Sequence, residues 1–219
     1  MKKIIFWALI SLFPLFFACS SDNDEEKPED INIELNVGDS YMIETSNTVL
    51  ESLNDFVFFF DGNKITAKHV GDHETKAISN EGEFNIKISV LPNYTLYPDL
   101  KVFLGMPKSA IEAAYGQATS VNAKGFHTYK QLYIFEEYTE VSYENDKVQI
   151  IAITYKYSYY KDVINHLKDR YKLYTSDSNS ALLGDASKLE DAKTVIILQW
   201  NSKYIMVGYS TPEYILGSI

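Results

Sequence analysis

From Ile31 to Val90 apolar and polar residues alternate in short runs separated by turn-forming residues, a period that builds sheet and not helix. Ile31, Ile33, Leu35 and Val37 alternate with Asn32, Glu34 and Asn36. Phe84, Ile86, Ile88 and Val90 alternate with Asn85, Lys87 and Ser89. Successive side chains of a strand point to opposite faces, so each run buries one face and leaves the other in water. Turns are expected at Gly38-Asp39-Ser40, Asp61-Gly62-Asn63 and Gly71-Asp72, and Pro92 ends the pattern. The expectation over residues 31–92 is a half-buried antiparallel β-sandwich.

Three strings in this region, LNVGDSYMI, GNKITAKHVGDHETKAIS and FNIKISVLP, resemble a bacterial immunoglobulin-like (Big) domain. Such modules share an early V-G turn, a G-x-I-T-A strand, a second V-G and a final I-x-V strand. The resemblance implies an Ig-like spacer or adhesive module of surface proteins.

Beyond Pro92 the period changes. Pro107, the apolar face of Ile111, Ala114 and Tyr115, and Gly116 describe one helix with its start and stop signals. Strands are expected at 127–135, 138–144 and 147–157, the last two joined through Glu144-Asn145-Asp146. Tyr160, Val163, Ile164, Leu167 and Tyr171 then fall on one face of a second helix. A polar loop, SDSNSALLGDASKLED, precedes two final strands, TVIILQW and KYIMVGYS, with Asn201-Ser202 as the hairpin turn. The expected fold class is therefore two-domain and mainly β. An N-terminal Ig-like β-sandwich (31–92) is followed by an α+β domain (93–219) with an antiparallel sheet and two helices. Helix and strands occur twice in the same order, which reads as a possible duplicated helix-plus-meander unit.

The segment FLGMPKSAIEAAYGQAT resembles the G-M-x-x-x-x-V-x-x-x-x-G-x-P helix of small lipoproteins of the outer-membrane barrel-assembly machinery and of the β-lactamase inhibitor protein. Gly105, Met106, Ile111 and Gly116 match, and Ala118 stands where that pattern has Pro. The resemblance implies binding of another protein through a curved sheet, without chemistry of its own.

The amino terminus has the layout of an export signal over residues 1–18. Met1, Lys2 and Lys3 precede the apolar run IIFWALISLFPLFFA, which is shorter than the roughly 20 residues that span a bilayer. An uncleaved signal anchor is the alternative, with the same membrane attachment. FFAC resembles a lipobox: Ala18 fits, and Phe16 replaces the usual Leu. The resemblance implies diacylglycerol and an N-acyl lipid on Cys19 as the only covalent group, with no other cofactor. Cys19 is the only cysteine, so no disulfide forms within the chain. Residues 19–30 read as an acidic flexible tether, carrying Asp22, Asp24, Glu25, Glu26, Glu29 and Asp30. The tether resembles the acidic patch that accompanies surface transfer of lipoproteins in the Bacteroides group; a mere spacer is the other reading.

A formal charge of -10 with a single arginine, Arg170, leaves no basic face for nucleic acid. Among the four histidines, His69 and His73 with Glu74 form a weak metal candidate, but a turn at Gly71-Asp72 would separate them, so no metal is expected. No G-x-S-x-G and no phosphate-cradling glycine loop occurs, and the chain is not expected to be an enzyme. Of the 17 tyrosines, Tyr155, Tyr157, Tyr159 and Tyr160 form a candidate binding cluster, with core packing as the alternative. Phe56, Phe58, Phe59 and Phe60 cannot all share one strand face, which makes them candidates for an interdomain contact. The expected function is that of a membrane-anchored outer-membrane lipoprotein, exposed at the cell surface, binding or adhering to protein or glycan. The alternative is a periplasm-facing envelope assembly or inhibitor protein that binds another protein.

Overall fold

A computed structural model describes residues 28–130 and 135–216. The expected export signal, Cys19 and most of the acidic tether lie outside the described residues. The described residues are mainly β, with antiparallel sheets and three α-helices. Among the described residues no helix is long and apolar enough to cross a membrane.

The first unit contains β1 (Ile31–Asn36), β2 (Ser40–Met42), β3 (Val49–Leu50), β4 (Phe58–Asp61), β5 (Lys64–Ala67), β6 (Gly71–Ser79) and β7 (Gly82–Leu91). They form one sheet of order β1-β7-β6-β3 and another of order β2-β5-β4. Ile33, Phe84, Ile86, Ile88 and Val90 from the first sheet share a core with Phe58, Ile65 and Ala67 from the second. The alternating residues thus bury one side, as their period requires. One pairing departs from the antiparallel expectation: β1 runs parallel to β7, with Ile31 opposite Ile86. These strands lie at opposite ends of the unit's sequence, so β1 joins the edge of the sheet beside β7 without a hairpin.

The Asn36–Asp39 turn forms through Asp39 N–H to Asn36 O at 2.9 Å, with Gly38 at φ 93° where a side chain would be strained. Gly71-Asp72, in contrast, is not a turn. It opens β6, pairing with Val90 and Ser89 of β7. A Cβ on Gly71 would lie 2.8 Å from a Val57 methyl, so glycine stands there for close approach, not for a bend.

The second unit comprises α1 (Lys108–Tyr115), β8 (Ser120–Val121), β9 (His127–Tyr129), β10 (Glu136–Glu144), β11 (Lys147–Lys156), α2 (Tyr160–Arg170), β12 (Lys172–Ser176), β13 (Ser180–Gly184), β14 (Val195–Trp200), β15 (Tyr204–Ser210) and α3 (Pro212–Leu216). A single antiparallel sheet has the order β12-β13-β14-β15-β11-β10-β9-β8. Each of α1 and α2 is followed by a four-strand meander, and the meanders meet at β11 and β15 in the middle. Ile111 and Tyr115 of α1 and Val163 and Leu167 of α2 pack on Ile151, Ile153, Ile205 and Val207, so both helices cover the same face. Their apolar side is what the i, i+4 spacing of those residues produces.

Four details differ from the sequence expectation. A third helix, α3, follows β15, and Ala114 of α1 is exposed. The polar stretch after α2 contains β13, whose Ala181 and Leu183 enter the core between β12 and β14. The last hairpin turns on Ser202-Lys203, one residue later than expected. Asn201 opens it, its Oδ1 accepting the N–H groups of Lys203 and Tyr204 at 2.8 and 2.9 Å.

Candidate functional site

Since α1 and α2 cover one face of the eight-stranded sheet, residues of the other parity along each strand point away from the helices. Register aligns Glu140, Ala152, Gly208, Ile197 and Leu182 as cross-strand neighbours over β10, β11, β15, β14 and β13. Ala152 and Gly208 occupy the centre of this row and have almost no side chain to fill it. Ile150, Ile197 and Met206 stand around them, and the result is a trough of about 320 Å³. Asn122 holds the β8–β9 hairpin beside it. Its Oδ1 accepts Lys124 and Phe126 N–H at 2.9 and 3.1 Å, and its Nδ2 donates to Glu140 at 3.3 Å. Small residues flanked by larger apolar ones, on a sheet face that neither α1 nor α2 covers, make a surface shaped to receive a ligand.

The four tyrosines do not share one environment. Tyr155 points to the helix side, fully buried, its ring 5.7 Å from that of Tyr97. Tyr97 in turn shares a hydroxyl hydrogen bond with Tyr209 at 2.8 Å, and burial raises the pKa of both. Tyr155 is therefore core. Tyr157, Tyr159 and Tyr160 lie beyond the strand, where Tyr157 packs on Tyr160 at 5.5 Å, Tyr160 on Trp200 at 5.7 Å, and Tyr159 on Phe135 at 4.6 Å. Tyr160 and Trp200 wall one end of an apolar groove of about 510 Å³ beneath α2, which His69 lines as well.

The phenylalanines belong to the first unit. Phe56 and Phe58 are in its core, Phe60 packs against that core, and Phe59 is 58% exposed. Only Phe56 reaches toward the second unit, indirectly, by stacking on His69 at 4.6 Å. The contact between the units runs through other residues. Val70 N–H donates to the Asp169 carbonyl at 2.8 Å, and Asn93 Nδ2 to the Val37 carbonyl at 2.8 Å.

The end of α2 buries three ionisable side chains that sequence reading passed over: His166, Asp169 and Arg170. All three bind the connection after Pro92. The Asp169 carboxylate accepts Asn93 and Tyr94 N–H. His166 Nδ1 accepts Leu96 N–H at 3.1 Å, and Arg170 donates to the Tyr94 carbonyl at 2.8 Å and the Thr95 hydroxyl at 2.7 Å. Burial, helped by the Arg170 charge, pushes His166 down to about 3, so its ring is neutral at pH 7. The available signal was the polar i, i+3, i+4 triplet beside the helix's apolar stripe, but nothing local names its partner.

His69, His73 and Glu74 are not brought together. His69 faces α2, His73 Nε2 lies 3.2 Å from the Ser52 hydroxyl, and Glu74 pairs with Lys87 at 3.2 Å. Adjacent positions of β6 put His73 and Glu74 on opposite faces. Among the described residues no group of three or more His, Cys, Asp or Glu side chains is placed to hold a metal.

No protein-family model matches the chain, and no curated protein matches it. Among solved structures it is similar to a cysteine-rich secretory protein from Staphylococcus aureus, with 14% identity over 57% of this chain and 50% of that one, at a TM-score of 0.32. It is also similar to an extracellular protein containing an SCP domain from Bacillus anthracis, with 16% identity over 58% of this chain and 51% of that one, at a TM-score of 0.31. The match thus spans about half the length of each, and both are too distant to assign a fold or a function.

Proposed function

We propose that this chain is an exported lipoprotein, held in the outer membrane through Cys19 and displayed at the cell surface, that binds a ligand on the uncovered face of its eight-stranded sheet. Residues 31–92 act as an Ig-like spacer and 93–219 as the recognition domain. The observation that carries this reading is the trough itself. Ile150, Ile197 and Met206 stand half-buried around Ala152 and Gly208 on the face opposite the helices. A non-catalytic role is supported by the employment of three buried ionisable side chains at the end of α2: His166, Asp169 and Arg170 all hold the connection after Pro92.

The second reading is a periplasm-facing assembly or inhibitor protein. It is favoured by the repeated helix-plus-meander order and by the Gly105-Met106 helix segment. Protease shaving of intact cells, read with an antibody to residues 93–219, separates the two. Loss of the domain from unbroken cells supports surface display; protection until the outer membrane is opened supports the second reading. A Cys19→Ala variant released into the soluble fraction supports the lipid anchor, and one that stays in the membrane argues for the uncleaved signal.

A further inference from the structure

We infer that the end of the open sheet face next to the β14–β15 turn binds a short, neutral oligosaccharide. The inference rests on the binding reading above and names its ligand.

One step along the strands from the small-residue trough, register aligns Tyr138, Thr154, Met206, Gln199 and Ser180 in a row across five strands. Trp200 and Tyr204 flank the adjoining turn, and with that row they enclose a cavity of about 490 Å³, within the roughly 300–1,000 Å³ range of small-molecule sites. Nine described residues line it and none carries a formal charge. In a chain with 23% charged residues, nine positions would hold about two, so the neutrality sets this cavity apart.

The lining combines two chemistries. Tyr138 and Tyr204 supply aromatic surface, at 38% and 44% exposed. Asn179, Gln199 and Thr154 supply side-chain donors and acceptors that make no hydrogen bond to any described residue. An apolar ligand would leave those amides unpaired, at a cost that rises with burial. An anion calls for Lys or Arg, and a cation for carboxylates. A saccharide has hydroxyls for the amides and a C–H face for the aromatic rings, and it needs no charge.

The site is also held ready. The Asp177 carboxylate accepts the N–H groups of Asn179 and Ser180 at 2.8 and 2.7 Å and the Ser180 hydroxyl at 2.9 Å, so it orders the loop that carries Asn179. Asn201 orders the turn between Trp200 and Tyr204 in the same way. Groups ordered before binding lose less entropy on binding.

A chain made from residue 20 keeps every described residue. That protein is titrated with maltohexaose, cellohexaose, xylohexaose, mannohexaose and chitohexaose as neutral probes, and with oligogalacturonate as the anionic one. At least one neutral probe is expected to bind saturably in calorimetry, and Asn179→Ala, Gln199→Ala and Tyr204→Ala are each expected to weaken that binding about tenfold, or roughly 1.4 kcal/mol. These positions lie at the surface, and unchanged melting verifies that the variants fold. The inference is overturned by the absence of binding to any neutral probe, by preference for oligogalacturonate, or by affinity that all three substitutions leave intact. Surface shaving of cells reads out independently, so a displayed protein that binds no neutral probe loses only the sugar assignment.

Discussion

The carboxylate of Asp169, in the last turn of α2, accepts the backbone N–H of Asn93 at 2.8 Å and, with the same oxygen, that of Tyr94 at 3.2 Å. The carbonyl of Asp169 meanwhile accepts the N–H of Val70. A single helical residue thereby binds both the first β unit and the connection that leaves it. Asp169→Ala strands two backbone donors and removes a charged acceptor, and a loss of about 2–4 kcal/mol is expected in urea unfolding. Proteolysis between residues 91 and 97 should accelerate with it. Unchanged stability and unchanged cleavage would show that the connection is held by something else.

His166 makes a pH prediction. Its folded pKa of about 3 lies below the ordinary 6.5, so as pH falls the unfolded chain takes up the proton first. The stabilisation is fully present above about pH 6.5 and is lost progressively toward about pH 3, with a slope of up to about 1.4 kcal/mol per pH unit. His166→Gln keeps an acceptor for Leu96 N–H and does not titrate. Between pH 4.5 and 6.5, where most carboxylates stay ionised, its stability profile should be flatter than that of the parent; parallel profiles would rule out the assignment.

Gly71 distinguishes a strand from a turn. In β6, a methyl at this position meets Val57, and Gly71→Ala is expected to cost about 1–3 kcal/mol through overpacking. That cost should shrink in a Val57→Ala background, a coupling that a double-mutant cycle measures. A turn glycine would show no coupling to Val57.

Neighbouring phenylalanines should respond in opposite ways. Phe58 is in the core, and Phe58→Ala should cost about 3–5 kcal/mol. Phe59 faces solvent, and Phe59→Asp should change stability by less than about 0.5 kcal/mol and leave the contact between the units intact. A large effect of Phe59→Asp on thermal melting would place that ring in an interface.

Individual elements show how far the sequence could be read. The alternation of β1 and β7 was legible because a two-residue period states directly which side chains share a face. β13 was not: Ala181, Leu182 and Leu183 are too few to carry a period, and their strand forms because β12 and β14 present edges on either side. Gly71 was ambiguous because the same missing Cβ permits a bend and permits close packing. Tyr155 and Tyr157 looked equivalent as a run, yet the end of β11 separates them, leaving the first in the core and the second at the surface.

By itself the sequence determined what local forces determine: strands from period two, helices from the i, i+4 stripe, and tight turns where Gly38 and the Asn145-Asp146 pair accept positive φ. Tertiary structure alone decided which sheet face the helices cover and which stays open. It also decided that Asp169 holds Asn93 and that Gln199 stands in line with Tyr138. Those relationships join residues far apart in the chain, through strand register and burial, and no short-range preference encodes them.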